Sequence, residues 1–396
     1  MAYDQTADCH DTDAAAFMRS VLQRIATGPE LSKDISREEA RRAMTLVLDE
    51  AVNPVQAGVF LIALRMKRET DEETQGILDA VRAATRPATA EVEHLLDLAD
   101  PYDGYTRSLP AAPFLPAVLA ACGVPTISHG VECVGPKFGV THHQVLVAAG
   151  VDAGRSAEAA AACIAEPTIG WAYVDQSTFC PKLHALVGLR NLIVKRPAVT
   201  TVEGLTGAVR ARGRTHLVTG YVHKPYPGIY AVLARGAGYH SALLVRGVEG
   251  GVIPSLRRTG RCFFYREGEA PATSTATLSD RDQGAEPSQH THSLDLRPAD
   301  FGLQEGLRPP PLPGDLEPES GGAEDTGPEP ALARAAAAAG RAALDGAPGP
   351  TRDSLVCGAA LCLWHLGRHP TLAAAADAVR AVLDSGRAGA HFDAGK

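Results

Sequence analysis

A small helical domain in front of a larger α/β domain with a central, mainly parallel sheet flanked by helices is the architecture this sequence predicts. Three observations predict it. Up to about residue 90, apolar side chains recur at helical spacing behind clear helix starts. From about residue 94, short apolar runs alternate with longer helical stretches, the pattern of an α/β domain. The chain has 396 residues, 45% of them hydrophobic, which is too long for one average domain and ample for a real core. The expected division is residues 1–93 for the helical domain and 94–396 for the α/β domain, with polar insertions near 269–292 and 304–330.

The elements follow in order. A helix spans Phe17 to Ile25. Ser36-Arg37-Glu38-Glu39 is a capping box, in which the serine accepts from the amide of Glu39 and the Glu39 side chain reaches back. Ala40, Ala43, Met44, Val47 and Leu48 then make one helical face. Asn53 caps the next helix with Pro54 in its first position, and Val59, Ile62, Ala63 and Met66 are assigned inward. Thr70-Asp71-Glu72-Glu73 opens another, with Ile77, Leu78 and Val81. Strands are expected over 94–99, 124–129, 216–222, 242–246 and 262–266, and helices over 114–122, 143–149, 157–164 and 229–235. The Pro-rich run Arg308-Pro309-Pro310-Pro311-Leu312-Pro313 cannot hold a regular element, and 269–292 reads as a second polar loop. Two helices, over 353–366 and 371–385, close the chain, with Gly386 as the C-cap glycine.

Composition removes several function classes. The net charge of −8 argues against a surface that is basic all over, while leaving room for a local basic groove. The 8 cysteines are scattered and form no CxxC pair, so they read as small buried hydrophobes and no zinc site is expected. Gly236-Ala237-Gly238 is too short for a dinucleotide fingerprint. No NAD, flavin or haem is expected. The acidic N-terminus lacks the basic and apolar regions of a signal peptide, and no run suits a membrane span, so a cytoplasmic protein with no membrane partner is expected.

Several residues carry chemistry on either of two readings. Lys137, in the turn Gly135-Pro136-Lys137-Phe138-Gly139, could hold an anion or be a solvated loop lysine. His129, at a strand end, could face a cleft or be a core histidine. His142-His143 would point apart on a helix, which favours structural roles over metal binding. Arg190 could meet an acidic ligand or bridge to a carboxylate. Arg210, Arg212 and Arg214 share one side of an extended segment, as a solvated loop or a nucleic-acid contact. Tyr226 could stack on a ring or pack a turn.

Taken together, the motifs resemble the anthranilate phosphoribosyltransferase family, which shares its fold with the pyrimidine nucleoside phosphorylases. The resemblance rests on residues 58–67 in the helical part, Cys122-Gly123-Val124-Pro125 through Ser128-His129-Gly130, Asp300-Phe301-Gly302-Leu303, and the C-terminal segments from Gly349 and Leu383. It implies a phosphoribosyl transferase that dimerises through its helical domain. Where the family has a glycine-rich diphosphate loop, this chain reads Ala99-Asp100-Pro101-Tyr102-Asp103-Gly104-Tyr105, keeping only Asp103 and Gly104. Thr106, Arg107 and Ser108 offer alternative contacts. After His129-Gly130, Glu132 stands where the family has an arginine, while Lys137 and Gly139 fit. The family's magnesium-holding Asp-Glu pair is reduced to Glu249, so a weak Mg2+ site at most is implied. The arginine that contacts anthranilate in the family falls near His184.

These departures resemble a divergent branch that binds nucleic acid, which also carries a Phe-Cys-Pro segment, as in Phe179-Cys180-Pro181, and a Gly-x-Arg-Asn segment, as in Gly188-Leu189-Arg190-Asn191. Two functions are therefore expected to compete. The first is a phosphoribosyl-type transferase with degenerate donor and metal motifs and an open acceptor. Its donor-phosphate candidates are Asp103, Gly104, Thr106, Ser108, His129, Gly130, Lys137 and Arg190, with Glu249 toward a metal and no nucleophile assigned. The second is a non-catalytic homodimer binding single-stranded nucleic acid through Lys195, Arg196, Arg210, Arg212 and Arg214, with charges clustered on one face.

Overall fold

The computed structural model describes residues 12–28, 30–268, 291–306 and 330–396. Most of the two insertions expected from the sequence lies outside the described residues.

The N-terminal helices form because their starts are written locally. Helices α1 (Thr12–Ile25), α2 (Arg37–Leu48), α3 (Pro54–Lys67) and α4 (Asp71–Ala84) make a bundle. Ser36 and Thr70 each make a full capping box with the glutamate three residues on, and the Asn53 side chain accepts from the amide of Val55. One expectation fails. The buried face of α3 is Ala57, Phe60, Leu61, Ala63 and Leu64. Of the residues assigned inward, Ala63 is buried, Val59 packs half-buried against the core, Ile62 is half-buried, and Met66 is 69% exposed; Val55 is 65% exposed. The helix is apolar nearly all round, so its periodicity does not mark an inner face.

The chain then builds a seven-stranded sheet in the order β4-β3-β2-β6-β7-β8-β9. Its strands are β2 (His94–Ala99), β3 (Thr126–Gly130), β4 (Trp171–Asp175), β6 (Arg214–Gly220), β7 (Ser241–Val245), β8 (Gly260–Tyr265) and β9 (His292–Leu296). The first five run parallel and the last two are antiparallel at the edge. Short strands β1 (Ala88–Ala90) and β5 (Val209–Ala211) pair separately. Side chains alternate across the sheet at period two. Leu95, Ala99, Ile127 and Leu217 pack with the helical bundle. Leu96, Leu98, Val218 and Leu243 pack under the C-terminal helices. Those helices are Pro330–Leu344, Pro350–His365, Leu372–Asp384 and Arg387–Ala394, so the chain closes with more helix than the two expected. No helix among the described residues is long and apolar enough to cross a membrane.

Candidate functional site

The carboxyl ends of β2, β6 and β7 border a cavity of about 480 Å3, to which the bundle contributes Arg65. Open α/β sheets take ligands at this end, and the volume suits a small molecule. The lining follows the strand ends: residues 99–103 after β2, 219–223 after β6, and Glu249 with Gly250 after β7.

The peptide after β2 is already engaged. Gly104 N–H donates to the Pro101 carbonyl and Tyr105 N–H to the Val140 carbonyl, while Gly139 and Val140 donate back to Asp103 and Tyr105. Pro101 has no N–H to offer. The two loops touch backbone to backbone, which glycine permits: a Cβ on Gly104 (φ 72°) would stand 2.5 Å from the Gly139 carbonyl carbon.

A convergence of donors lies just beyond. Thr106 N–H (2.9 Å) and its hydroxyl (3.2 Å) donate to Glu249 Oε2. Arg107 N–H (2.9 Å) and the Ser108 hydroxyl (3.0 Å) donate to Oε1. The Lys137 ammonium donates to the Gly104 carbonyl at 2.5 Å and stands 3.7 Å from Asp103 and 3.9 Å from Glu249. Arg196 grips the Asp103 carboxylate at 2.6 and 3.1 Å. Arg190 forks onto Glu203 at 2.6 and 2.8 Å, with both side chains buried.

Aromatic groups complete the wall. Tyr226 lies 5.7 Å from Tyr230 and 6.4 Å from His223, and its hydroxyl is bonded by Arg65. Burial pushes the phenols of Tyr102 and Tyr230 up, so they stay neutral donors. Beneath Tyr102 runs a buried chain: Tyr102 OH to His129 Nδ1 (2.6 Å), His129 Nε2 to Asp97 (2.8 Å), and Tyr239 OH to Asp97 (2.6 Å).

Of the residues singled out in the sequence, Asp103, Thr106, Lys137, Arg190, Arg196 and Glu249 line the cavity. Gly104 and Ser108 stand behind it, bonded to Lys137 and Glu249. His129 and Gly130 are buried and outside the lining. His142 and His143 turn to different carboxylates, Asp100 and Asp175. Arg190 takes the carboxylate-bridging arrangement. The remaining arginines lie elsewhere. Arg214 begins β6 and Gly220 ends it, which separates the Arg210–Arg214 segment from the cleft by roughly 20 Å of strand. Each of these arginines is engaged: Arg210 over the Tyr239 ring at 3.9 Å, Arg212 3.6 Å from Glu91, and Arg214 2.5 Å from Glu267. Lys195 is exposed beside Arg196. One chain therefore does not gather the five basic candidates on one face.

Magnesium needs oxygen ligands with lone pairs to give. Both oxygens of Glu249 already accept two hydrogen bonds each, which fills a carboxylate's capacity. Val252 and Ile253 on the same loop are buried hydrocarbon. No group of three or more His, Cys, Asp or Glu side chains among the described residues could hold a metal. With Glu249 so engaged, the residues present do not fit a magnesium site there.

Arg65, Glu203, Tyr221 and Thr219 were not found from the sequence. The one available signal was position: Thr219 and Tyr221 fall at the carboxyl end of a predicted strand, where α/β ligands sit.

Residues 19–85 match the helical bundle domain of the glycosyl transferase family. An uncharacterized protein of Aquifex aeolicus is 28% identical over 56% of this chain and 65% of its own length. The anthranilate phosphoribosyltransferase of Azorhizobium caulinodans is 28% identical over 95% of this chain and 94% of its own. Among solved structures, the anthranilate phosphoribosyltransferase of Saccharomyces cerevisiae in complex with phosphoribosyl pyrophosphate and magnesium superposes with a TM-score of 0.70 at 14% identity, covering 96% of this chain and 97% of that one. By fold the chain is like the anthranilate phosphoribosyltransferases, and by sequence it is similar to them along nearly its whole length.

Proposed function

We propose that the protein is a phosphoribosyl-type glycosyl transferase with an altered donor site, taking phosphoribosyl pyrophosphate or a related sugar phosphate in the cleft. The observation that supports it most is the Lys137 ammonium in the lining of the cavity at the carboxyl end of the sheet. The similar yeast protein holds phosphoribosyl pyrophosphate, which supports the ligand class. Lys137 takes the donor side; Asp103 and Arg190 fix the loops around it through Arg196 and Glu203. Tyr226 and Tyr230 flank the ring of an acceptor. Catalysis is by positioning and charge stabilisation, without a covalent nucleophile.

Calorimetric titration of the full chain with phosphoribosyl pyrophosphate, ribose 5-phosphate and ribose 1-phosphate, with and without Mg2+, tests this reading. At least one is expected to bind and to weaken about tenfold or more in Lys137→Ala, a loss of about 1.4 kcal/mol. No heat from any of them at millimolar ligand ends it. Salt-dependent binding of a single-stranded oligonucleotide, weakened by reversing Arg210, Arg212 and Arg214, is the competing outcome.

The protein acts as a homodimer in this reading. The exposed Val55 and Met66, the half-buried Ile62 between them and Leu192, 82% exposed, form the apolar face that a second copy covers. Light scattering is expected to give a dimer for the wild type and a monomer for Met66→Glu with Leu192→Glu; a monomeric wild type at micromolar concentration sinks it.

A further inference from the structure

Successive backbone amides, hydroxyls and a nearby ammonium aimed at one point are the chemistry of an oxyanion site. At residues 106–108 that site is built, and it is filled from within the chain. The Glu249 carboxylate, 11% exposed, takes all four donors, two on each oxygen.

The loop that carries Glu249 is shaped to keep it there. Val248 N–H donates to the Ile253 carbonyl, Gly250 N–H to Gly247, Gly251 N–H to Val248, and Val252 N–H to the Asp100 carboxylate at 3.0 Å. The turn is so tight that a Cβ on Gly247 would stand 1.6 Å from the Gly251 carbonyl oxygen. Glu249 itself sits at φ 53°, ψ 19°, left-handed backbone that residues other than glycine rarely adopt. Its neighbours hold it in that conformation, and the four hydrogen bonds are what the arrangement secures.

We infer that Glu249 is the specificity-determining residue of the cleft: its carboxylate stands in for a phosphate at the 106–108 donors and bars a diphosphate from that position. Incoming phosphate there would meet a like charge and find no open donor. If the transferase reading holds, on which only this narrowing rests, the sugar ligand is one without a diphosphate in the nest, such as a pentose monophosphate. Occupancy of the nest is tested without any sugar.

The experiment uses the full chain and inorganic pyrophosphate at constant ionic strength, read by thermal midpoint and by calorimetry. Glu249→Gly removes the carboxylate and suits the left-handed backbone. It is expected to bind pyrophosphate about tenfold or more tightly than the wild type, with a midpoint that climbs with pyrophosphate. Adding Ser108→Ala to Glu249→Gly is expected to erase much of the gain. Equal affinity in wild type and a folded Glu249→Gly overturns the inference, whether both bind or neither does. Should Glu249→Gly not fold, Glu249→Gln is read by the same criterion, since its amide nitrogen cannot accept from the donors; no gain there overturns it too. A pyrophosphate gain without binding of any sugar phosphate to the wild type would remove the transferase reading and leave Glu249 assigned.

Discussion

The two ends of the sheet settle their titratable groups by opposite means. At the carboxyl end ions stay ions and are matched: Arg190 with Glu203, Arg196 with Asp103, and Lys137 between Asp103 and Glu249. At the amino end His94 of β2 meets His216 of β6 at 3.0 Å, His216 meets Ser241 of β7 at 2.8 Å, and Ser241 meets His365 of the Pro350–His365 helix at 2.9 Å. Burial pushes His216 down to about 4, helped by His94 and His240, and pushes His365 down to about 3, helped by Arg266. Keeping ions buried costs desolvation, which the matched partners around the cleft offset. At the amino end, imidazoles give up their charge and serve as hydrogen-bond links.

The largest effects fall on the cleft pair. Arg190→Met would leave the Glu203 carboxylate buried without its partner. Urea denaturation is expected to show a loss of about 3–5 kcal/mol, most of it restored in the double variant with Glu203→Leu. A single-variant loss below about 1 kcal/mol would show that the pair is not buried as a unit, and the contrast between the two ends would fail.

The amino end predicts acid lability. His216 and His365 have folded values below their ordinary one of 6.5, so the unfolded chain binds their protons first. Their contribution is complete above about pH 6.5 and is lost as pH falls toward the folded values, by about 3 kcal/mol for His216 alone. Stability measured from pH 7 to pH 4 is expected to fall, with a shallower slope in His216→Gln. An unchanged slope would show that the histidine chain is not the acid-sensitive element. Between the two ends lies a mixed case, the Tyr102–His129–Asp97 chain. Tyr102→Phe leaves His129 Nδ1 buried and unpaired, for an expected loss of about 1–3 kcal/mol by the same denaturation; a neutral outcome would mean that the ring nitrogen reaches water.

Legibility in the sequence followed distance along the chain. The helix starts at Ser36, Asn53 and Thr70 were readable because their partners lie two or three residues away. The strands over 94–99 and 242–246 were readable as short apolar runs, while β4 was missed although Trp171, Ala172, Tyr173 and Val174 make a buried apolar run of the same kind. Edge strand β9 was missed because its mostly exposed residues directly follow the 269–292 stretch that read as a loop. The Pro330–Leu344 helix hid at the end of a Pro/Gly-rich stretch. At the site, erosion of the diphosphate loop was visible in Pro101 and Tyr102, but the role of Glu249 was not. Its donor Thr106 lies 143 residues away, and only the parallel pairing of β2 with β6 and β6 with β7 brings them together.

The smallest effect separates rim from interior at the cleft itself. Arg196 and Glu203 both counter a charge beside the cavity, yet the Arg196 side chain is 45% exposed where that of Glu203 is 4% exposed. Water screens the first pair and not the second, so Arg196→Ala is expected to change stability by no more than about 1 kcal/mol. The Asp103 carboxylate it uncovers keeps Lys137 3.7 Å away and so is not left uncompensated. Denaturation midpoints for Arg196→Ala and Arg190→Met, measured side by side, should differ severalfold in their shift from wild type. Equal shifts would mean that solvent does not distinguish the two arginines, and that the cleft is closed at its rim as tightly as at its base.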